Sequence, residues 1–130
     1  MINIVLDTNI IISAAFSSEG NPAKIIKLVS TSENMQIYYS PAILEEYKRV
    51  LAYERLNFSE EKQARAINMI IKYGISIHSE ISEMSMPDES DRIFYDTAKA
   101  VNAYLITGNL RHYPEESHII PPARFVELFG

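Results

Sequence analysis

Three acidic residues stand where a chain of this pattern would bring them together. Asp7 ends the apolar run Ile2–Leu6 and is followed by Thr8 and Asn9. Glu46 lies six residues after Ser40, about one and a half turns into the helical stretch that opens there. Asp91 falls in the first turn of a stretch beginning near Ser90, just behind the loop MPDES, which carries Asp88. A fourth segment adds Gly108-Asn109, a glycine-loosened turn with a carbonyl oxygen donor, after the run AYLIT. Carboxylates gathered at one rim repel and cannot all ionise without a counter-charge. A hard divalent cation resolves that conflict, and an oxygen donor set without Cys or His favours Mg²⁺ or Mn²⁺. Such a cation activates water and steadies charge on a phosphoryl group, so the chemistry expected is metal-assisted hydrolysis of a phosphodiester.

The elements that must position these residues are short apolar runs alternating with longer helical patterns. The runs are Ile2–Leu6, Gln36–Tyr39, Gly74–His78, Ala103–Thr107 and Ser117–Ile120; the amphipathic stretches are Pro22–Ser30, Pro41–Leu56, Glu60–Tyr73 and Ser90–Asn102. In the second stretch Ile43, Leu44, Tyr47, Val50 and Leu51 share one helical face. Ser40-Pro41 makes an N-cap and first-position pair, and Ser59 caps the next helix with acids in its first turn. Gly74 is expected to close that helix as a C′ glycine. Strand–helix alternation, with strands that read as unbroken apolar runs, predicts a three-layer α/β/α sandwich around a central, mainly parallel sheet of about five strands. In open sheets of this kind, sites form outside the carboxyl ends of the strands, which is where Asp7, Ser40 and Asn109 fall.

Length and composition set the bounds. The 130 residues are expected to form one domain, residues 1–130, large enough to bury about 70% of the unfolded surface. An apolar fraction of 47% and a charged fraction of 22% are those of an ordinary globular chain. No apolar run approaches the roughly 18 residues of a membrane span, and MINIVLD has no basic n-region, so neither a membrane anchor nor a signal peptide is expected. The absence of cysteine excludes a disulfide framework and a thiolate metal site, and fits a cytoplasmic protein. A net charge of -5 argues against a protein that coats nucleic acid non-specifically. It leaves open an enzyme whose acids surround a bound cation, because the cation inverts the local field.

Together these blocks resemble the PIN domain, the nuclease fold of many bacterial and archaeal toxins of toxin–antitoxin pairs. IVLDTNIIISA is similar to the family's opening strand and first acid, which falls on Asp7. SPAILEEYKRVL is similar to its second block, in which a serine six residues before the acid selects Glu46 rather than Glu45. DESDRIFYDTAKAVNAYLITGN is similar to the third, whose acid seven residues before the helix alanine, counted back from Ala98, is Asp91. The resemblance runs from Ile2 to about Pro114, and TGNLRHYP is similar to a subgroup with a His and a Pro after TGN. It departs at Asn109, where many relatives carry an acid; the site then has one charge fewer, and Asp88 is the candidate to supply it. The resemblance implies a metal-dependent endonuclease acting on RNA, a cognate antitoxin protein that blocks the cleft, and a homodimer.

Other residues take supporting readings. Asn9 reads as a turn residue that orients Asp7, and Thr107 as its neighbour at the rim. Glu46 has Lys48 and Arg49 as helix neighbours, at spacings that pair poorly or modestly. Arg111, His112 and Arg92 are candidates to hold an RNA phosphate. Asp96 reads as a solvated or packing residue, His78 and His118 as structural, and Tyr38, Tyr39, Tyr47 and Tyr53 as core. A receiver-like phosphoacceptor needs an Asp after the third strand and a Lys after the fifth, where this chain has His78-Ser79 and Pro121-Pro122. A haloacid-dehalogenase-like phosphatase needs an Asp at position 9. The alternative that Asn109 keeps open is a PIN-like module that binds RNA or protein without cutting.

Overall fold

The first apolar run forms strand β1 (Ile2–Leu6), and the chain enters helix α1 (Thr8–Phe16) with no loop between them. The computed structural model describes residues Met1–Gly130. Helix α1 was not legible as a helix because TNIIISAAF is apolar nearly all round and lacks the polar face that gives amphipathic periodicity. Helix α2 (Asn21–Thr31) returns the chain to β2 (Met35–Tyr39), which leads into α3 (Pro41–Leu51). The expected cap forms there: Ser40 Oγ accepts from Ile43 N at 3.1 Å. Helix α3 stops earlier than its apolar pattern suggested, because the chain breaks into a 3₁₀ turn, Glu54–Leu56, and Asn57 takes a left-handed φ of 53°.

Helix α4 (Glu60–Tyr73) begins at its Ser59 cap and runs straight into β3 (Gly74–Ser76). Gly74 is not the left-handed C′ residue expected; its φ is -99°. It is glycine for lack of space, since a Cβ would lie 2.6 Å from the Ile70 carbonyl oxygen and 2.8 Å from the Tyr39 ring. A 3₁₀ turn, Glu89–Asp91, opens α5 (Arg92–Ala100), which leads to β4 (Tyr104–Ile106). A third 3₁₀ turn, Leu110–His112, precedes β5 (Ile119–Ile120) and α6 (Pro122–Phe129). That last helix had no counterpart in the sequence reading; it anchors through Phe125, which is fully buried.

The strands form one parallel sheet in the order β3-β2-β1-β4-β5, flanked by the six helices, as the strand–helix alternation predicted. Ile4, Val5 and Leu6 of the central strand are fully buried, which is why β1 reads as an unbroken apolar run. From β1 the chain steps one way to β2 and β3, then crosses to the other side for β4 and β5. This reversal opens a crevice at the carboxyl ends of β1 and β4. Leu6 is in register with Ile106, so Asp7 and Thr107 emerge side by side, with Asp7 N donating to Ile106 O at 3.0 Å. No helix is long and apolar enough to cross a membrane.

Candidate active site

Asp7 sits in that crevice and is only 5% exposed. Its Oδ1 caps α1 by accepting from Thr8 N at 2.7 Å. Its Oδ2 accepts from Thr107 Oγ1 at 2.7 Å, Tyr113 OH at 3.0 Å and Asn9 Nδ2 at 3.2 Å. Burial pushes the Asp7 carboxyl above its ordinary range, and the hydrogen bonds from Thr107, Tyr113 and Thr8 hold it partly back. The Asn9 amide is fixed at both ends: Nδ2 donates to Asp7 Oδ2 at 3.2 Å, and Oδ1 accepts from Gly108 N at 2.9 Å. A Cβ on Gly108 would press to 3.3 Å from that Asn9 oxygen, so glycine preserves the approach.

Asp91 arrives from the other direction, at the N-cap of α5. Its side chain is 13% exposed and its Oδ2 lies 3.1 Å from His112 Nδ1. Burial, followed by the charges of Asp7 and Asp88, raises its pKa to about 6, against a smaller downward pull from His112. Asp88 stands on the rim, held by Ser90 N at 3.0 Å and Ser90 Oγ at 2.7 Å, and these bonds lower its pKa. Ligand atoms of Asp88, Asp91 and His112 all lie within 4.8 Å of one another. A histidine nitrogen thus joins a donor set that was read from the sequence as oxygen alone.

Glu46 stands outside that cluster of three. Its carboxylate is bound by Arg49, with Arg49 NH2 at 2.7 and 2.8 Å from its two oxygens, so the modest i,i+3 spacing is used after all. The next residue ties this turn of α3 to the site: the fully buried Tyr47 donates its hydroxyl to the Leu6 carbonyl, one residue before Asp7. Asn109 is exposed at the rim, where its backbone N donates to Thr107 Oγ1 at 2.9 Å and its carboxamide bonds to nothing within the chain. Arg111 is exposed on the turn beside His112.

Three side chains take roles that the fold decides. Arg92 gives all its donors to its own neighbourhood: Glu89 at 2.5 and 2.9 Å, Ser82 O at 2.7 Å, Ser82 Oγ at 2.9 Å and Met84 O at 2.7 Å. It braces the segment after β3 against α5 and has no donor left over for a phosphate. Of the two readings of Asp96, solvated or packing, the structure gives the second: it is buried and its Oδ2 accepts from Ser82 N at 3.0 Å. Tyr113, 3% exposed, joins the site through its hydroxyl although sequence reasoning passed over it; the only signal was its place in TGNLRHYP, directly after His112.

The chain matches the PIN domain family model over residues 3–111, which takes in Asp7, Glu46, Asp91 and Asn109. It belongs to the PIN-domain family. An uncharacterized protein of Methanocaldococcus jannaschii is 32% identical over 116 residues, covering 83% of this chain and 71% of that relative. A chain in the crystal structure of VapBC2 from Rickettsia felis, bound to a DNA fragment from their promoter, shares the PIN fold with a TM-score of 0.61. The alignment covers 92% of this chain and 97% of that one at 17% identity.

Proposed function

We propose that this PIN domain is a metal-dependent endoribonuclease, the toxin of a type II toxin–antitoxin pair, with Asp7, Glu46 and Asp91 as its metal-holding acids. The observation that carries the reading is Asp7 at the switch point of the sheet with Asp91 near enough to feel its charge: burial raises both carboxyls and the charge of Asp7 raises Asp91 further, while the ligand atoms within 4.8 Å of one another are those of Asp88, Asp91 and His112. Carboxylates so placed are relieved by a proton or by a bound cation. A set dominated by carboxylate oxygens, with Asp88 and Asn109 at its edge, suits Mg²⁺ or Mn²⁺. When bound, that ion supplies Lewis-acid activation of water and neutralises charge on the scissile phosphate.

The chain's own residues have separable tasks in this scheme. Asp7 and Asp91 hold the ion, Asn9 and Thr107 fix the Asp7 carboxylate, and Glu46 joins by releasing Arg49. Arg111, exposed beside the site, meets a neighbouring RNA phosphate, while Arg92 has no such role. The turn that carries Arg111 also walls a cleft of about 630 Å³, with Leu110, Tyr113 and Glu115 in its lining, room for a flanking nucleotide. Membership in a family whose members are generally nucleases supports hydrolysis of phosphodiester bonds. The likeness to a chain of VapBC2 supports an antitoxin protein as partner; the homodimer rests on the family resemblance, and the cytoplasmic setting on the absence of cysteine.

A second reading, a PIN module that binds RNA or protein without cutting, is favoured by the Glu46–Arg49 pair and by Asn109, where the family resemblance gives many relatives an acid. One assay separates the two. Wild type and Asp7→Asn are incubated with a fluorophore–quencher RNA, with EDTA or with Mn²⁺. Cleavage by wild type with Mn²⁺ alone, lost in Asp7→Asn, is the expected result. Folded wild type that cuts no RNA under any condition, and binds no Mn²⁺, overturns the nuclease reading.

A further inference from the structure

The two oxygens of Asp7 are not equivalent. Oδ2 receives three donors, from Thr107 at 2.7 Å, Tyr113 at 3.0 Å and Asn9 at 3.2 Å, whereas Oδ1 receives only Thr8 N at 2.7 Å. The direction of the Thr107 bond is settled by its neighbours. Its oxygen accepts from Asn109 N at 2.9 Å and Asn9 Nδ2 at 3.4 Å, so its single proton is left for Asp7. Tyr113 is equally committed: Asp7 Oδ2, 3.0 Å away, is the acceptor of its buried phenol proton. An oxygen facing three inward N–H and O–H dipoles has no lone pair to spare and presents positive dipole ends to an approaching cation.

From this asymmetry we infer that Tyr113 is a positioning residue, which completes the donor set on Asp7 Oδ2 and so selects Oδ1 as the oxygen that faces the metal ion. The inference rests on the metal-dependent reading above and assigns a task to a residue outside the acidic set. Thr107 and Asn9 reach Asp7 from segments already bound beside it, Thr107 through the β1–β4 register and Asn9 through α1. Tyr113 comes from the turn that also brings His112 to Asp91. The orientation of the Asp7 carboxylate is thereby linked to the conformation of that turn. Outer-shell partners of this kind typically carry a 10–100-fold effect on metal affinity or activity.

The test is the Mn²⁺ dissociation constant of the full chain, read by electron paramagnetic resonance, for wild type, Tyr113→Phe, Thr107→Val and Tyr95→Phe. Tyr113→Phe keeps the buried ring and removes only the donor. Tyr95 is also 3% exposed, but its hydroxyl bonds Glu116 at 2.5 Å and touches no acid of the site, so its variant controls for loss of a buried phenol. The expected result is affinity about tenfold weaker in Tyr113→Phe and in Thr107→Val, with Tyr95→Phe equal to wild type. Wild-type affinity in Tyr113→Phe, or an equal loss in Tyr95→Phe, overturns the positioning role while leaving the metal site standing. Wild type that binds no Mn²⁺ removes the metal reading itself, and the two failures are told apart by that first isotherm.

Discussion

His112 Nδ1 lies 3.1 Å from Asp91 Oδ2, and this contact belongs to the same turn that sends Tyr113 to Asp7. Adjacent residues of one short segment therefore hold two acids that arrive from different elements. Asp91 comes to the site from the N-terminus of α5 and Asp7 from the end of β1. The turn orients both carboxylates at once.

Because burial and the charge of Asp7 raise the Asp91 carboxyl from an ordinary 3.8 to about 6, the folded state binds a proton more tightly than the unfolded chain. Stability without metal therefore falls as pH rises through the window between those two values and levels off above it. Asp7 is raised in the same direction and adds to the effect. Melting temperatures in EDTA across that window should show the decline, and Asp91→Asn should flatten part of it. A wild type that becomes more stable as pH rises there would contradict the burial of these charges.

Glu46→Gln separates two roles for one carboxylate. The Glu46–Arg49 pair lies on an accessible helix face, where such pairs add little to stability. The variant should melt with wild type, yet lose RNA cleavage by at least about 100-fold if Glu46 helps hold the ion, the upper range for losing even an outer-shell partner. Retained cleavage would leave pairing with Arg49 as its whole function.

Thr107→Val removes a fully buried hydroxyl that donates to Asp7 and accepts from Asn109 N. The isosteric change leaves both partners short of a bond, a loss of about 1–3 kcal/mol. Urea unfolding measures it, and Thr107→Ser should recover most of the difference. Equal stability of the Val variant would show that the hydrogen bonds at the end of β4 carry no net energy.

Arg92→Ala should loosen the segment after β3, since the guanidinium binds Ser82 and Met84 backbone oxygens together with Glu89. Limited proteolysis should cut between Ser79 and Asp88 sooner, and Arg92→Lys should not restore protection, because an ammonium cannot reproduce the planar fork. Unchanged protection with weakened RNA binding would return Arg92 to the phosphate role expected from the sequence.

How much of this was legible depended on the range of each interaction. Asp7 could be read because a strand end, a cap and a turn residue lie in consecutive positions, and Ser40 and Ser59 because a cap acts within three residues. The parallel sheet followed from unbroken apolar runs. Helix α1 was missed because its sequence has no polar face, and the role of Gly74 was misjudged because the ring of Tyr39, on another strand, limits its space. Tyr113 was invisible because its partner lies 106 residues away. Arg92 looked like a rim cation because nothing local reveals that the chain after β3 folds back over it. Glu46 matched the family's register with Lys48 and Arg49 as its possible partners, and the geometry selects Arg49.

The central claim is that Asp7 and Asp91 share a divalent cation at the switch point of the sheet. A crystal grown with Mn²⁺ and measured at the manganese absorption edge tests it most directly. The expected result is an anomalous peak within coordination distance of Asp7 Oδ1 and Asp91. A peak bound elsewhere on the chain, or none at saturating Mn²⁺, would contradict it.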